Sequence, residues 1–246
     1  MGQEASAPVA VYNTKLQACG RPLGVTATPL LFAMEKGCLV VELSLETPPL
    51  PRTFYDRPTL DVARELIGKT LLRRASAGVA GGMIVETEAY VAAIDPSAHA
   101  YRGQTPRNRS MFAQPGTAYV YRSYGIHYCL NVVTEAEGVA AAVLIRAIRP
   151  LVGIELMRAR RGERIGDRDL ARGPGRLCQA LALTTADDGD DLLGAQLWIS
   201  ETPGLEGALP VAATPRIGIT QAADWPWRFV VVADPYVSAR GVRAVE

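Results

Sequence analysis

Residues 117–133 run TAYVYRSYGIHYCLNVV. Thr117 to Tyr121 and Ile126 to Val133 are rich in β-branched and aromatic residues, and the four residues between them, Arg122-Ser123-Tyr124-Gly125, end in a glycine that can take the positive φ of a tight turn. The stretch therefore predicts an antiparallel hairpin with Tyr124 at its tip. Outward from it, a Pro115-Gly116 turn precedes the first strand and Val139 to Ile148 predicts a third, with Arg146 in an otherwise apolar run. Upstream, Met83-Ile84-Val85 leads into Glu86-Thr87-Glu88-Ala89-Tyr90, again in strand pattern from Gly82 onward. Strand signals recur at Arg216 to Thr220, at Arg228 to Val232 and, near the start of the chain, at Cys38 to Leu45.

Helices are predicted between these strands. Asp56-Arg57-Pro58-Thr59 supplies a start with Thr59 as N-cap, Leu60, Ala63, Leu66 and Ile67 share one face, and Gly68 stops it. Pro150 opens a helical stretch to about Arg161, and Gly173-Pro174-Gly175 opens another through Leu183. The mixture predicts an α/β (mixed α+β) chain, and 246 residues fit one domain of generous size or two small ones. Residues 1–51, with scattered Gly and Pro and the run Thr47-Pro48-Pro49-Leu50-Pro51, are expected to be a flexible extension ending in a linker.

Composition narrows the function classes. The 246 residues are 48% hydrophobic and 21% charged, the mix of a globular protein and not of a disordered or fibrous one. Four cysteines stand far apart with no C-x-x-C pair, so a disulfide framework, a zinc module and an iron–sulfur cluster are not expected. No apolar run approaches the roughly 18 residues of a spanning helix, and no secretory leader is recognised, so the expected location is the cytoplasm with no membrane partner. The net charge of +1 hides an asymmetry: residues 100–182 carry thirteen arginines against six acidic residues. Clustered arginine suits phosphate oxygens, although an arginine-rich proteome explains the choice of cation equally well.

Two features carry chemistry. Glu86 and Glu88, two apart on a strand, put both carboxylates on one face with Cα atoms roughly 6.5–7 Å apart. A bare E-x-E is more often a salt-bridged surface pair; the apolar residues before it, Tyr90 after it and His99 in the next loop favour a site instead. Tyr119, Tyr121, Tyr124 and Tyr128 fall within ten residues. Tyr119 and Tyr128 are assigned to ordinary packing, whereas a tip aromatic such as Tyr124 has no core to enter and is of the kind that inserts at an unstacked base step.

Taken together, Ile84 to Tyr90, Ala98-His99, Gln104-Thr105-Pro106-Arg107-Asn108-Arg109-Ser110-Met111-Phe112, Pro115 to Tyr121, Tyr124-Gly125, Gly173 to Ala180 and Pro215-Arg216-Ile217-Gly218-Ile219 closely resemble the alkyladenine (3-methyladenine) DNA glycosylases. The match is colinear over about residues 53–240. Departures lie at the C-terminal end, where Val230 follows Trp227-Arg228-Phe229 and Ala233-Asp234 precede Pro235. The resemblance implies a single mixed α/β domain over 52–246, a curved antiparallel sheet with flanking helices and a protruding DNA-binding hairpin. It implies a monofunctional enzyme of base excision repair that flips alkylated or deaminated purines from double-stranded DNA and hydrolyses the N-glycosidic bond. It makes Glu88 the general base and Tyr90, His99 and Tyr121 the walls around the base. It puts Asn131 on the pocket floor, Arg146 beside the water site and Tyr124 as the wedge. Arg107, Arg109 and Arg176 are the expected backbone contacts. No metal or organic cofactor is expected, and the chain is expected to act as a monomer.

Two rival readings follow from the same residues. A non-catalytic nucleic-acid binder would use the arginine face and Tyr124 but would not need Glu88, Tyr90 and His99. A carbohydrate hydrolase would use Glu86 and Glu88, which stand near the inverting separation but side by side on one strand. Lys69, the one lysine in the matched region, is read as a helix-end cation and not as an amine nucleophile.

Overall fold

The computed structural model describes residues 47–205 and 207–238. The candidate strand at Cys38 to Leu45 and most of the expected extension lie outside them. Within the described part, Leu50 is buried, its N–H bonds Ile199 O at 2.7 Å, and Pro49 bridges Ser200.

The elements are α1 (Arg52–Tyr55), α2 (Thr59–Glu65), β1 (Thr70–Ala75), β2 (Gly78–Val91), β3 (Ala118–Ser123), β4 (His127–Val133), β5 (Ala141–Val152), α3 (Ile154–Arg161), α4 (Asp167–Leu170), α5 (Pro174–Leu181), β6 (Leu197–Ser200), β7 (Val211–Thr214) and β8 (Arg228–Val231), with short 3-10 turns at Arg109–Phe112 and Thr185–Asp187. The strands form one curled sheet in the order β3-β4-β5-β2-β1-β6, with β8 pairing both β2 and β7. Each pairing is antiparallel. Helices and sheet share a core running from Tyr55 and Leu66 through Ile84, Val85 and Ile145 to Leu177 and Leu181. This is the mixed α+β single domain with an antiparallel sheet that the sequence implied. Among the described residues no helix is long and apolar enough to cross a membrane.

Strand β2 organises the rest. Along Thr70–Ala75 its partner on one side is β1, and over Glu86–Glu88 that side passes to β8, while β5 lies along the other side. The β2–β5 ladder is irregular at three places. Glu86 faces Ala147 and Thr87 faces Ile145, so Arg146 is the extra residue of a bulge, the device by which a strand re-aims one side chain. At Gly82 the two backbones come so close that a Cβ would stand 2.0 Å from Arg149 O, so no other residue fits without displacing β5.

Four local expectations are corrected. Thr59 is the first helical residue and not the cap: its Oγ1 and N–H both bond the Glu135 carboxylate, which answers the free N–H groups of α2 from a distant loop. Pro150 does not start a helix. It lies in β5 opposite Gly82, at a break in the ladder where an N–H is not required, and α3 begins only after Gly153 turns the chain with φ +67°. Arg216 to Thr220 is not a strand, because the arginine is drawn into a buried ion pair and the following N–H serves a carboxylate; the strand of this region is β7. The hairpin loop is shorter than four residues: β3 runs to Ser123, β4 starts at His127, and Ile126 N–H closes on Ser123 O at 3.1 Å.

Candidate active site

Thr87 sends its hydroxyl to Ala63 O on the α2 side, so the period of two turns Glu86 and Glu88 together to the opposite face. Both are fully buried. The environments of the two carboxylates differ in one respect that matters for chemistry. Glu86 Oε1 accepts from Arg146 Nε, Arg228 Nη1 and Ser238 Oγ, each at 2.9 Å, and Oε2 accepts from Ser238 N at 2.6 Å. Glu88 Oε2 accepts from Tyr90 OH at 2.8 Å and Arg146 Nη1 at 3.2 Å, while Oε1 accepts from Ile217 N at 2.8 Å. A carboxylate offers about four lone-pair positions. Among the described residues Glu86 Oε2 and Glu88 Oε1 each meet a single donor, so each keeps an acceptor position; only for Glu88 do all the partners, Tyr90, Arg146 and Ile217, line a cleft.

Electrostatics separate the pair in the same sense. Burial alone would raise Glu86, but Arg146, the two Ser238 donors and Arg228 outweigh it and hold that carboxyl below the usual range. For Glu88 burial prevails over Arg146, the Ile217 N–H and the Tyr90 hydroxyl, and the carboxyl is pushed up. Two like groups on one strand thus titrate apart, as an acid–base site requires.

Above them opens a cleft of about 750 Å³ lined by Tyr90, His99, Tyr119, Tyr121, Asn131 and Arg146 among others. Glu88 is one layer below this wall, and three of the cleft-lining residues, Tyr90, Arg146 and Ile217, are its hydrogen-bond partners. Tyr119 and Tyr121 are stacked with centroids 5.3 Å apart, and His99 stands edge-on to Tyr121 at 4.4 Å. His99 Nδ1 pairs with Tyr119 OH at 3.0 Å, and Asn108 Nδ2 holds the His99 carbonyl. Packing around the imidazole, helped by Arg107, lowers its pKa, so the ring is neutral at pH 7 although one edge is open to solvent. Asn131 donates to Tyr119 O at 3.0 Å, which turns its amide oxygen elsewhere. A cleft walled by flat rings, with His99, Asn131, Arg107 and Arg146 among its lining, accepts a planar heteroaromatic that carries polar edges.

The walls rest on a pair that the sequence did not single out for chemistry. Arg216 and Asp95 are both fully buried and joined through both guanidinium ends, and Arg216 Nη1 also donates to Ala89 O at 2.9 Å. The guanidinium lies 4.7 Å from the Tyr90 ring centroid and 5.2 Å from that of Trp227. It therefore supports Tyr90 from behind and anchors Ile217 beside Glu88. Tyr119, assigned to packing, does pack, and it also orients His99. Cys129 is a further cleft residue that carried no sequence signal.

The hairpin residues are disposed differently. Tyr124 is 87% exposed at φ +48°, followed by Gly125 at +70°, the paired positive angles of a hairpin turn of the primed kind. It lies at the mouth of the cleft together with Arg107, whose Nη2 holds Arg122 O at 2.9 Å and whose guanidinium stands 5.7 Å from the Tyr121 centroid. Arg109 and Arg176 are exposed outside the cleft, Arg176 in an ion pair with Asp169 at 2.9 Å. Lys69 Nζ is also elsewhere, 2.7 Å from each oxygen of Glu201. Among the described residues no group of three His, Cys, Asp or Glu side chains is placed to hold a metal ion.

Comparison with known proteins gives the chain's family. Residues 53–235 match the family model described as methylpurine-DNA glycosylase. The chain is 48% identical over 197 residues to a protein of Methanocella arvoryzae (78% of this chain, 97% of that one). It is 50% identical over 192 residues to one of Burkholderia lata (77% and 90%), and 54% identical over 192 residues to one of Rhodopseudomonas palustris (78% and 90%). All three bear the name "Putative 3-methyladenine DNA glycosylase". With the model covering most of the chain and half the aligned positions identical, this protein belongs to the methylpurine-DNA glycosylase family.

Proposed function

We propose that this protein is a monofunctional DNA glycosylase that binds double-stranded DNA as a monomer in the cytoplasm, turns an alkylated or deaminated purine out of the stack and releases it by hydrolysis. The observation that supports this reading best is the acceptor position on Glu88 Oε1, beside a cleft walled by Tyr90, His99 and Tyr121. Water entering past Arg146 and Ile217 donates a proton to that position as its oxygen attacks C1′. The N-glycosidic bond breaks, its electron pair leaves with the base, and an abasic site remains on an intact strand. Burial raises the Glu88 pKa above the ordinary carboxylate range, so activity falls as pH drops through that raised value.

Asn131 and Cys129 bound the floor of the base pocket, and Tyr124 fills the gap left in the duplex. Arg107, Arg109 and Arg176 hold phosphates. A two-carboxylate sugar hydrolase is disfavoured, since Glu86 already meets four protein donors. An amine nucleophile is disfavoured by the pairing of Lys69 with Glu201.

The test is base release from duplexes carrying a panel of methylated and deaminated purines, run with borohydride trapping. The expected result is free base, an alkali-labile but uncut strand and no covalent adduct. Strand cleavage before alkali, or a trapped adduct, overturns the water mechanism; absence of release from every modified purine overturns the activity.

A further inference from the structure

The geometry points to Glu86 as a positioning residue: held by Arg228 and Ser238, its carboxylate takes the Nε side of Arg146, so that this guanidinium reaches Glu88 through Nη1 alone. The role rests on the reading of Glu88 as the base and adds to it a reason for the second glutamate.

Arg146 comes from a bulge, and a bulged side chain is not oriented by a regular ladder. What orients it is the carboxylate of Glu86, at 2.9 Å from Nε, against 3.2 Å for its contact to Glu88. Glu86 is fixed in turn from two remote segments. Arg228 on β8 donates to Oε1, and Ser238 donates to both oxygens through its N–H and its hydroxyl. The negative charge of Glu86 offsets, at Glu88, part of the positive charge of Arg146. Were Arg146 paired with Glu88 alone, the carboxylate would be so stabilised as to become a weak base.

The groups facing Glu88 define what a pH measurement reads. They are Arg146 from β5, Arg228 from β8 (bonded to Glu86), Tyr121 from β3, Cys129 from β4, and Glu86 and Tyr90 from its own strand. The tyrosines are raised by burial and the thiol is raised as well, so none of these three ionises across the acid limb. Glu86 and Glu88 remain as the carboxylates in play, with Glu86 the lower of the two, and His99 in the cleft wall, whose pKa is lowered by burial, titrates alike in every variant.

Single-turnover release of methylated purines from dimethyl-sulfate-treated duplex DNA is measured from pH 4.5 to 8 for wild type, Glu86→Gln, Glu86→Asp and Ser238→Ala, with Glu88→Gln as the reference. In Glu86→Gln the full charge of Arg146 falls on Glu88. Its pKa drops, so the acid limb is expected to move to lower pH by about one unit, with release at neutral pH slower by about tenfold and DNA affinity unchanged. Glu86→Asp keeps the charge and is expected to leave the limb in place. Should Glu86→Gln fail to fold, Ser238→Ala decides: it removes one donor to Glu86 and, with it, the 3.4 Å acceptor of Arg146 Nη2, and release slowed about threefold at unchanged affinity is expected.

A wild-type acid limb in folded Glu86→Gln, or a wild-type rate in Ser238→Ala where only that variant folds, overturns the role of Glu86. Wild-type release by Glu88→Gln overturns the reading of the base itself, whatever the other variants do.

Discussion

The β2–β5 layer and the β3–β4 tip both invert the usual placement of side chains, burying charge in the one and exposing apolar surface in the other. In the layer Glu86, Glu88 and Arg146 are buried, as are Asp95 and Arg216 in the loops beside it, and each charge is bonded to an opposite charge. At the tip, Tyr124 and Ile126 are 87% and 70% exposed, and Tyr124 holds a positive φ on a non-glycine residue. A group that must move a proton benefits from a dry, fixed setting, where a misplacement of an ångström is costly. A group that must enter another molecule's stack is useful only if its own fold leaves it uncovered. The interior is therefore where substitutions should alter folding and chemistry together, and the tip is where they should alter DNA binding alone.

The strongest way to break that contrast is Asp95→Ala. It leaves Arg216 charged and unpaired in the interior, which costs about 3–5 kcal/mol, and at about 2–4 °C per kcal/mol in a domain of this size Tm should fall by roughly 10 °C. A loss below about 1 kcal/mol by chemical denaturation would show that the buried pair does not hold the site together. Next in size, Tyr124→Ala should weaken binding to a modified purine in duplex DNA by about tenfold, the scale of one aromatic stacking contact. It should weaken binding to the same base in a single strand far less, and Tm should not move. Equal losses on both substrates would return Tyr124 to a packing role. Smallest of the three, Arg176→Ala removes an exposed pair with Asp169 that contributes little to stability. Its signature is in the salt dependence of duplex affinity, where the slope of log K against log salt should shrink by about one. An unchanged slope would take Arg176 out of the interface.

The contrast also explains what was legible in the sequence. The hairpin could be read because its determinants are local: alternation along Ala118–Ser123 and His127–Val133, and a glycine at the second of the two turn positions with positive φ. The shared face of Glu86 and Glu88 follows from strand period for the same reason. What completes Glu88 comes from far along the chain. The N–H of Ile217 is 129 residues away and Arg146 is 58 away, and neither contact has a local pattern. Arg216 looked like the start of a strand because β-propensity cannot register that its charge has a buried partner at Asp95, 121 residues upstream. Pro150 looked like a helix start because the preference of proline for the first helical turn is a local rule, whereas its place in β5 depends on Gly82 across the ladder. Family motifs recovered part of this, naming Arg146 and Asn131 where spacing alone did not, but they gave no hint of Ser238.

The most direct test compares single-turnover purine release by wild type, Glu88→Gln and Glu86→Gln on one modified duplex, with affinity measured in parallel. The account predicts that Glu88→Gln binds as wild type but releases base slower by about 10²-fold or more, the scale of general-base catalysis, and that Glu86→Gln stays within about tenfold of wild type at neutral pH. Near-normal release by Glu88→Gln beside an inactive, folded Glu86→Gln would contradict it, and would move the base to the carboxylate that already carries four donors.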